Sequence, residues 1–200
     1  MAMTLELDAL RAALARPGRP SSDFDLNPET VLPAGRKLRP AGVLAPVVQR
    51  ADGLHLLLTK RSSALKHHPG QIAFPGGKQD EADADVIAAA LREAHEEIGL
   101  PPENVDVLGT LPAHETVTGF IVTPVIGVIT RDFTITPEKD EVDEVFSVPL
   151  AHVLDAERYV IESRRWRGAK RSYYAVPYGP YYIWGATARM LRAWTDQISK

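Results

Sequence analysis

Between residues 85 and 100 apolar positions recur every three to four residues, and Ile87, Leu91, Ala94 and Ile98 form one narrow stripe when wound at about 100° per residue. This pattern predicts a helix from Asp85 to Ile98, closed by Gly99, because glycine readily takes the left-handed conformation that ends a helix. Elsewhere apolar residues come in short blocks bounded by Gly, Pro and Asp, as strands do. Gly42–Val48 and Leu54–Thr59 read as a hairpin turning at Asp52-Gly53. Val105–Leu111, Phe120–Ile129 and Glu144–Val148 read as further strands, and Gln71–Phe74 as a short apolar stretch entering Pro75-Gly76-Gly77. His152–Leu154 starts a short turn. Amphipathic helices are expected at Thr4–Ala15, where Leu5, Leu10, Ala13 and Leu14 lie near one face, and at Trp184–Ile198. Pro17 and Pro20 stop the first, and a connector rich in Pro, Ser and Asp runs to about Pro40. Strands on both sides of a helix, in irregular order, suggest an α/β fold with a mixed sheet between helices. Residues 1–40 are then a helix and connector packing on a domain formed by 41–200.

Composition narrows the chemistry. With 23 cationic and 26 acidic residues the net charge is −3, which argues against gripping nucleic acid by electrostatics. A small anionic ligand needs only one local group of cations. The chain has no cysteine, which removes disulfides, thiolate metal sites and cysteine nucleophiles together. The N-terminus carries Glu6 and Asp8 and lacks an apolar core of the roughly 7–15 residues a signal peptide needs. No apolar run approaches the ~18 residues of a membrane span, so a cytoplasmic location and no membrane partner are expected.

The most informative stretch is Arg92-Glu93-Ala94-His95-Glu96-Glu97-Ile98-Gly99-Leu100. Glu93, Glu96 and Glu97 are neighbours on a helix face away from the apolar stripe. Three carboxylates so close raise each other's pKa unless a cation lies among them, and the helix dipole near its C-terminus adds to the cost. Hard, oxygen-seeking Mg²⁺ or Mn²⁺ is the natural partner. A solvated acidic face, with Arg92 pairing Glu96 one turn on, would show the same glutamates. The preceding Pro-Gly-Gly turn and acid make a longer constellation, one that chance rarely supplies.

That constellation resembles the Nudix box, G-x5-E-x7-R-E-U-x-E-E-x-G-U, where U is a bulky apolar residue. Gly77 matches its first glycine, Arg92 and Glu93 the R-E pair, Glu96 and Glu97 the E-E pair, and Gly99 and Leu100 its end. Asp83 stands for the early glutamate, the spacing from Gly77 to Arg92 is one residue longer, and Ala94 is small. Upstream, Leu57-Leu58-Thr59-Lys60-Arg61-Ser62, Lys66, Gly70 and Phe74-Pro75-Gly76-Gly77 resemble L-L-T-x-R-(S/A)-x3-R-x3-G-x3-F-P-G-G, the signature of coenzyme A pyrophosphatases. Lys66 replaces an arginine, keeping charge but losing a bidentate grip on phosphate. In that branch the longer box with aspartate is common. Gly119–Pro124 and Ile183–Ala188 also look like it, so the resemblance runs from about 42 to 192.

The resemblance implies a Nudix fold and metal-dependent hydrolysis of the coenzyme A diphosphate to 3′,5′-ADP and 4′-phosphopantetheine. It implies Glu93 and Glu97 as metal ligands, Glu96 as a further ligand or the holder of a water there, and Arg92 as the group orienting Glu96. Gly77 would let the backbone come close to metal or phosphate, and Arg61 and Lys66 would bind the diphosphate. The general base is a box glutamate or one of Glu138, Glu141 and Glu144, with Glu141 preferred. His67 and His68 read as loop residues and His95 as structural. The tyrosines at 173, 174, 178, 181 and 182 either cover an apolar edge or stack on adenine. Other readings remain: a Nudix enzyme for ADP-ribose, NADH or a nucleoside triphosphate, and a nucleotide sensor without catalysis. An isomerase on this scaffold would resemble enzymes relying on a cysteine and is set aside. Monomer and homodimer both stay open.

Overall fold

The structure, a computed structural model, describes residues 2–166 and 168–199. Its elements are α1 (Ala2–Leu14), β1 (Ser21–Ser22), β2 (Arg39–Arg50), β3 (Gly53–Arg61), β4 (Ile72–Ala73) and β5 (Gly76–Lys78). Then come α2 (Val86–Ile98), β6 (Val105–Thr110), β7 (His114–Glu115), β8 (Phe120–Ile129), β9 (Val142–Pro149) and α3 (Leu150–Val153). β10 (Val160–Trp166), β11 (Ala169–Ala175) and α4 (Ala186–Ile198) complete the chain.

Nine strands form one mixed sheet with the path β1-β7-β8-β2-β3-β4; β5 adds to β2, β6 to β8 and β9 to β3. β2 and β8 run parallel at its centre, while β2 and β3 form the antiparallel hairpin expected from Asp52-Gly53. Both faces are covered, so the central strands are apolar on both sides. Leu44 and Val125 meet Ala90, Ala94, Ile98 and Leu100 on the α2 face. Ala45, Val47, Leu56, Leu58, Ile126, Phe146 and Val148 form the opposite core with Leu191 and Trp194 of α4. Register one residue apart thus decides which core a side chain enters.

α2 begins and ends as the sequence indicates. Asp85 caps it through Oδ1, which accepts from Ile87 N at 2.9 Å and Ala88 N at 2.8 Å. Gly99 closes it at φ 74°, its N–H donating to His95 O. The helix can lie on β2 only because Gly42 has no side chain: a Cβ there would stand 2.0 Å from Val86 O.

The N-terminal segment packs on the body. Gln197 of α4 donates to Ala13 O and Arg16 O at 3.1 and 3.0 Å, and Arg11 pairs with Asp106 of β6. Beyond it, fully buried His114 joins Ser21 Oγ at 2.9 Å and Asp23 Oδ1 at 3.1 Å, pinning the connector to β7.

Some elements differ from expectation. The last helix starts at Ala186, not Trp184, because Gly185 at φ 68° breaks the turn and Trp184 makes an isolated antiparallel bridge to Ala175. The β10–β11 hairpin carried no apolar alternation to read, since apart from the bridge at Ala175 its strands pair only with each other and its middle residues are charged. The two- and three-residue strands β1, β5 and β7 are too short to show any period. Among the described residues no helix is long and apolar enough to cross a membrane.

Candidate active site

The parallel starts of β2 and β8, the end of β3 and the start of β9 converge at one end of the sheet. β5 crosses there, with Gly77 opposite Gly42 and Gly76 opposite Val43. Pro75-Gly76-Gly77 passes so close to α2 that its backbone meets the glutamates directly. Gly76 N donates to Glu97 Oε2 at 3.2 Å, and Gly76 itself, at φ 152°, leaves no room for a Cβ against Gly42 O and Val43 Cα. A Cβ on Gly77 would fall 2.6 Å from the Glu93 carboxyl carbon.

Glu97 is therefore not on a solvated face. It is 4% exposed, packed on the Gly76 turn. Burial, opposed by the Gly76 N–H and reinforced by repulsion from Glu93, pushes its carboxyl up to about 8. Burial likewise raises Glu93, against the pull of Arg92. Glu96 is more exposed, its carboxylate joined to Arg92 Nη1 at 2.9 Å.

Arg92 does more than orient Glu96. Its Nε and Nη2 grip the two oxygens of Asp83 at 3.0 and 2.9 Å, while Nη1 reaches Glu93 Oε1 at 3.0 Å as well as Glu96. Nη2 also donates to Lys78 O, and Asp80 stands 3.7 Å away. The Arg92 hydrogen bonds hold Asp83 below the usual carboxylate range. Asp83 thus braces the loop before the helix against the arginine that fixes two glutamates. Asp80, which pattern reading did not single out, joins this brace.

Glu141 arrives from the far side. Glu138 N donates to Glu97 O and Thr136 N to Ile98 O, tying the segment before β9 to the end of α2. Ser62 N donates to Glu141 O at 2.8 Å, and the Glu141 charge is felt by both Glu93 and Glu97. Of the three later acids, Glu144 is turned elsewhere: Tyr181 donates to its Oε1 at 2.5 Å and stacks on Phe146 in the α4 core.

Arg61 ends β3, its backbone held by Gln71 O and Gly70 N at 3.0 Å each. Its Nε is buried without a hydrogen-bond partner among the described residues, and its charge draws down the Glu97 carboxyl. Lys66 lies exposed on the loop between β3 and β4 and, among the described residues, no hydrogen bond or ion pair fixes it. His68 sits on the same loop at φ 55°, lowered from its ordinary pKa by burial and by Arg61. His95 is exposed on α2. The tyrosines divide: Tyr174, Tyr178 and Tyr181 pack on the α4 core, whereas Tyr173 and Tyr182 gather around Trp184.

A divalent cation fits this donor set. The donors are carboxylate oxygens, suited to a hard ion, and a buried Glu97 that resists ionisation needs positive charge beside it. Gly77 keeps the approach to Glu93 clear. Among the described residues no three such groups already close on one point, because Arg92 holds an oxygen of Glu93 and one of Glu96.

A mixed sheet between helices carries at its end a glutamate helix against a glycine turn, a carboxylate site of the kind that suits a hard divalent cation. The NUDIX domain family matches residues 38–167, and the chain belongs to that family, with the Nudix fold. Over 162 residues it is 48% identical to "Uncharacterized Nudix hydrolase NudL" of Cronobacter sakazakii, spanning 81% of this chain and 84% of that one. The protein of the same name in Escherichia coli O139:H28 is 43% identical over 196 residues, 98% of this chain and 95% of its own. Among solved structures, RenU, a Nudix hydrolase of M. smegmatis, aligns with a TM-score of 0.48 and 25% identity over 59% of this chain and 73% of its own. Members of the family generally use divalent metal ions such as Mg²⁺ or Mn²⁺.

Proposed function

We propose that this chain hydrolyses the diphosphate of coenzyme A, or of its thioesters or disulfide, to 3′,5′-ADP and 4′-phosphopantetheine or its derivative. The observation that carries this reading is the way Leu57–Gly77 is folded around the box. Arg61, whose Nε is buried with no hydrogen-bond partner among the described residues, acts on Glu97 through its charge, and the Phe74–Gly77 turn supplies the Gly76 N–H to that same carboxylate. The segment resembling the coenzyme A pyrophosphatase signature is thus continuous with the glutamate site.

Glu93, Glu97 and Glu96 would hold Mg²⁺ or Mn²⁺, which supplies positive charge to stabilise the leaving diphosphate oxygen and to polarise the attacking water. Water attacks one phosphorus, the bond to the bridging oxygen breaks, and that oxygen leaves with the electron pair. Glu141, held by Ser62 and Glu138, takes the water's proton. Arg61, with Lys66 from the loop after it, neutralises the phosphate oxygens away from the glutamates. Arg92 and Asp83 keep Glu93 and Glu96 in place throughout.

Turnover and products on coenzyme A, NADH and ADP-ribose, with Mg²⁺ or Mn²⁺ supplied, test this directly. Coenzyme A should be preferred and yield 3′,5′-ADP. Equal or better turnover of the other two would sink the substrate assignment while leaving the hydrolase intact.

A further inference from the structure

The β10–β11 hairpin presents a charge pattern that folding alone does not favour. Its register sets Arg164 directly opposite Arg171 and Arg165 directly opposite Lys170. Like charges facing each other across an antiparallel pair are unfavourable. Among the described residues no carboxylate pairs with Arg164, Arg165 or Lys170. Glu162, two residues from Arg164 on the same face, receives the Tyr182 hydroxyl at 2.7 Å. With Arg167, residues 164–171 hold five cations in eight positions of a chain whose net charge is −3.

One face of the hairpin combines charge with aromatic surface. The Arg164 guanidinium lies 4.1 Å from the Trp184 ring centre and 6.0 Å from that of Tyr173, and the two rings are 5.0 Å apart. Arg171, on the same face, stands 5.7 Å over Phe24, with Arg36 5.5 Å from that ring. The root of the hairpin reaches the active-site end of the sheet. Trp184 bridges Ala175, the next residue Gly185 has Gln71 Nε2 3.4 Å from its Cβ position, and Gln71 O holds Arg61 N. Asn27 fixes Ser172 N and O at 2.8 and 2.9 Å, so the strand is held in place from the connector.

We infer that the Arg164–Arg171 face of the hairpin, beside Trp184 and Tyr173, binds a phosphate monoester carried by the nucleotide apart from the diphosphate that is cleaved. Guanidinium forks match phosphate oxygens, and the adjacent rings offer a stacking surface for the base. The inference rests on the coenzyme A reading, whose adenosine carries such a group at its 3′ position.

Titration calorimetry of the whole chain with 3′,5′-ADP and with 5′-AMP tests it. The wild type should bind 3′,5′-ADP about 10- to 100-fold more tightly, the range for charge-assisted phosphate bonds. Arg164→Gln with Arg171→Gln should lose that preference while keeping its affinity for 5′-AMP. Arg164→Lys with Arg171→Lys should keep part of it. Arg165→Gln with Lys170→Gln, on the other face, should retain the preference, and its loss there would overturn the choice of face. No preference in the wild type, or equal weakening of both ligands in the glutamine variant, would overturn the inference. So would tighter binding of a short single-stranded RNA through these arginines, which would mark a nucleic-acid surface. If 3′,5′-ADP binds as expected but coenzyme A is not a preferred substrate, the substrate assignment falls alone. If coenzyme A is preferred and the glutamine variant discriminates as before, only the hairpin assignment falls.

Discussion

Replacing Gly77 by Ala should separate catalysis from folding. The new Cβ would stand 2.6 Å from Glu93 Cδ and Oε1 and 2.8 Å from Oε2. Ordinary contact needs about 3.4 Å or more, so the carboxylate must withdraw by about 0.8 Å. Its path is not free, because Arg92 Nη1 holds Glu93 Oε1 at 3.0 Å and is itself locked to Asp83. A displacement of this size in a catalytic group costs on the order of 100-fold in rate, about 2.7 kcal/mol of transition-state stabilisation. Stability changes less. Weakening a partly exposed Arg92–Glu93 bond costs about 1 kcal/mol after allowing for solvent screening. The alanine returns about 0.4–1 kcal/mol by restricting the unfolded chain. Steady-state kinetics on coenzyme A, calorimetric Mn²⁺ binding and thermal melting should show a ~100-fold lower kcat, weaker metal affinity and a Tm within roughly 4 °C of wild type. Turnover within threefold of wild type, or a melting point falling in step with activity, would refute the close approach of this turn to Glu93.

Gly42→Ala should behave in the opposite way: its Cβ meets helix backbone at Val86 O, 2.0 Å, and Ala90 N, 3.1 Å, so α2 must lift from β2. A loss of about 3 kcal/mol in urea unfolding is expected, and an unchanged midpoint would contradict the packing. Glu97 binds its proton up to about 8 in the folded chain, against 4.5 ordinarily. In EDTA its contribution to stability is therefore complete below about pH 4.5 and is lost as pH rises through 8, with Glu93 adding in the same direction. Urea midpoints between pH 5 and 8.5 should fall less steeply for Glu97→Gln; parallel profiles would show that Glu97 is not the group responsible. Glu141→Gln should lower kcat by about 10²- to 10⁴-fold with little change in KM, whereas Glu144→Gln, bound to Tyr181, should stay within about threefold. The reverse ranking would move the base to β9.

The elements that sequence periodicity placed best are those whose order is local. Asp85 and Gly99 bracket α2 because a side-chain cap and a left-handed glycine act within one turn, and Phe120–Ile129 is a strand at those bounds because both its faces are buried. The β10–β11 hairpin was illegible: with no core behind its middle residues there is no alternation to see. At the site, the residue types and spacing of Arg92, Glu93, Glu96 and Glu97 were readable, and so was their demand for a cation. Their inequality was not. Helical spacing places the three glutamates together on a face away from the apolar stripe. Only the passage of β5 over α2, made possible by glycines at 42, 76 and 77, buries Glu97 and leaves Glu96 outside. Likewise Glu138, Glu141 and Glu144 are indistinguishable by composition. β9 pairs with β3, so alternate residues face opposite cores. That register turns Glu144 to Tyr181, while the backbone bonds from Glu138 and Ser62 bring Glu141 to the glutamates. The sequence by itself determined which chemistry the chain carries, because ligand type and helical period are local properties. Which carboxylate is buried, which is braced and which is turned to Tyr181 was decided by contacts between segments far apart in the chain, and those follow from strand register and close backbone approach.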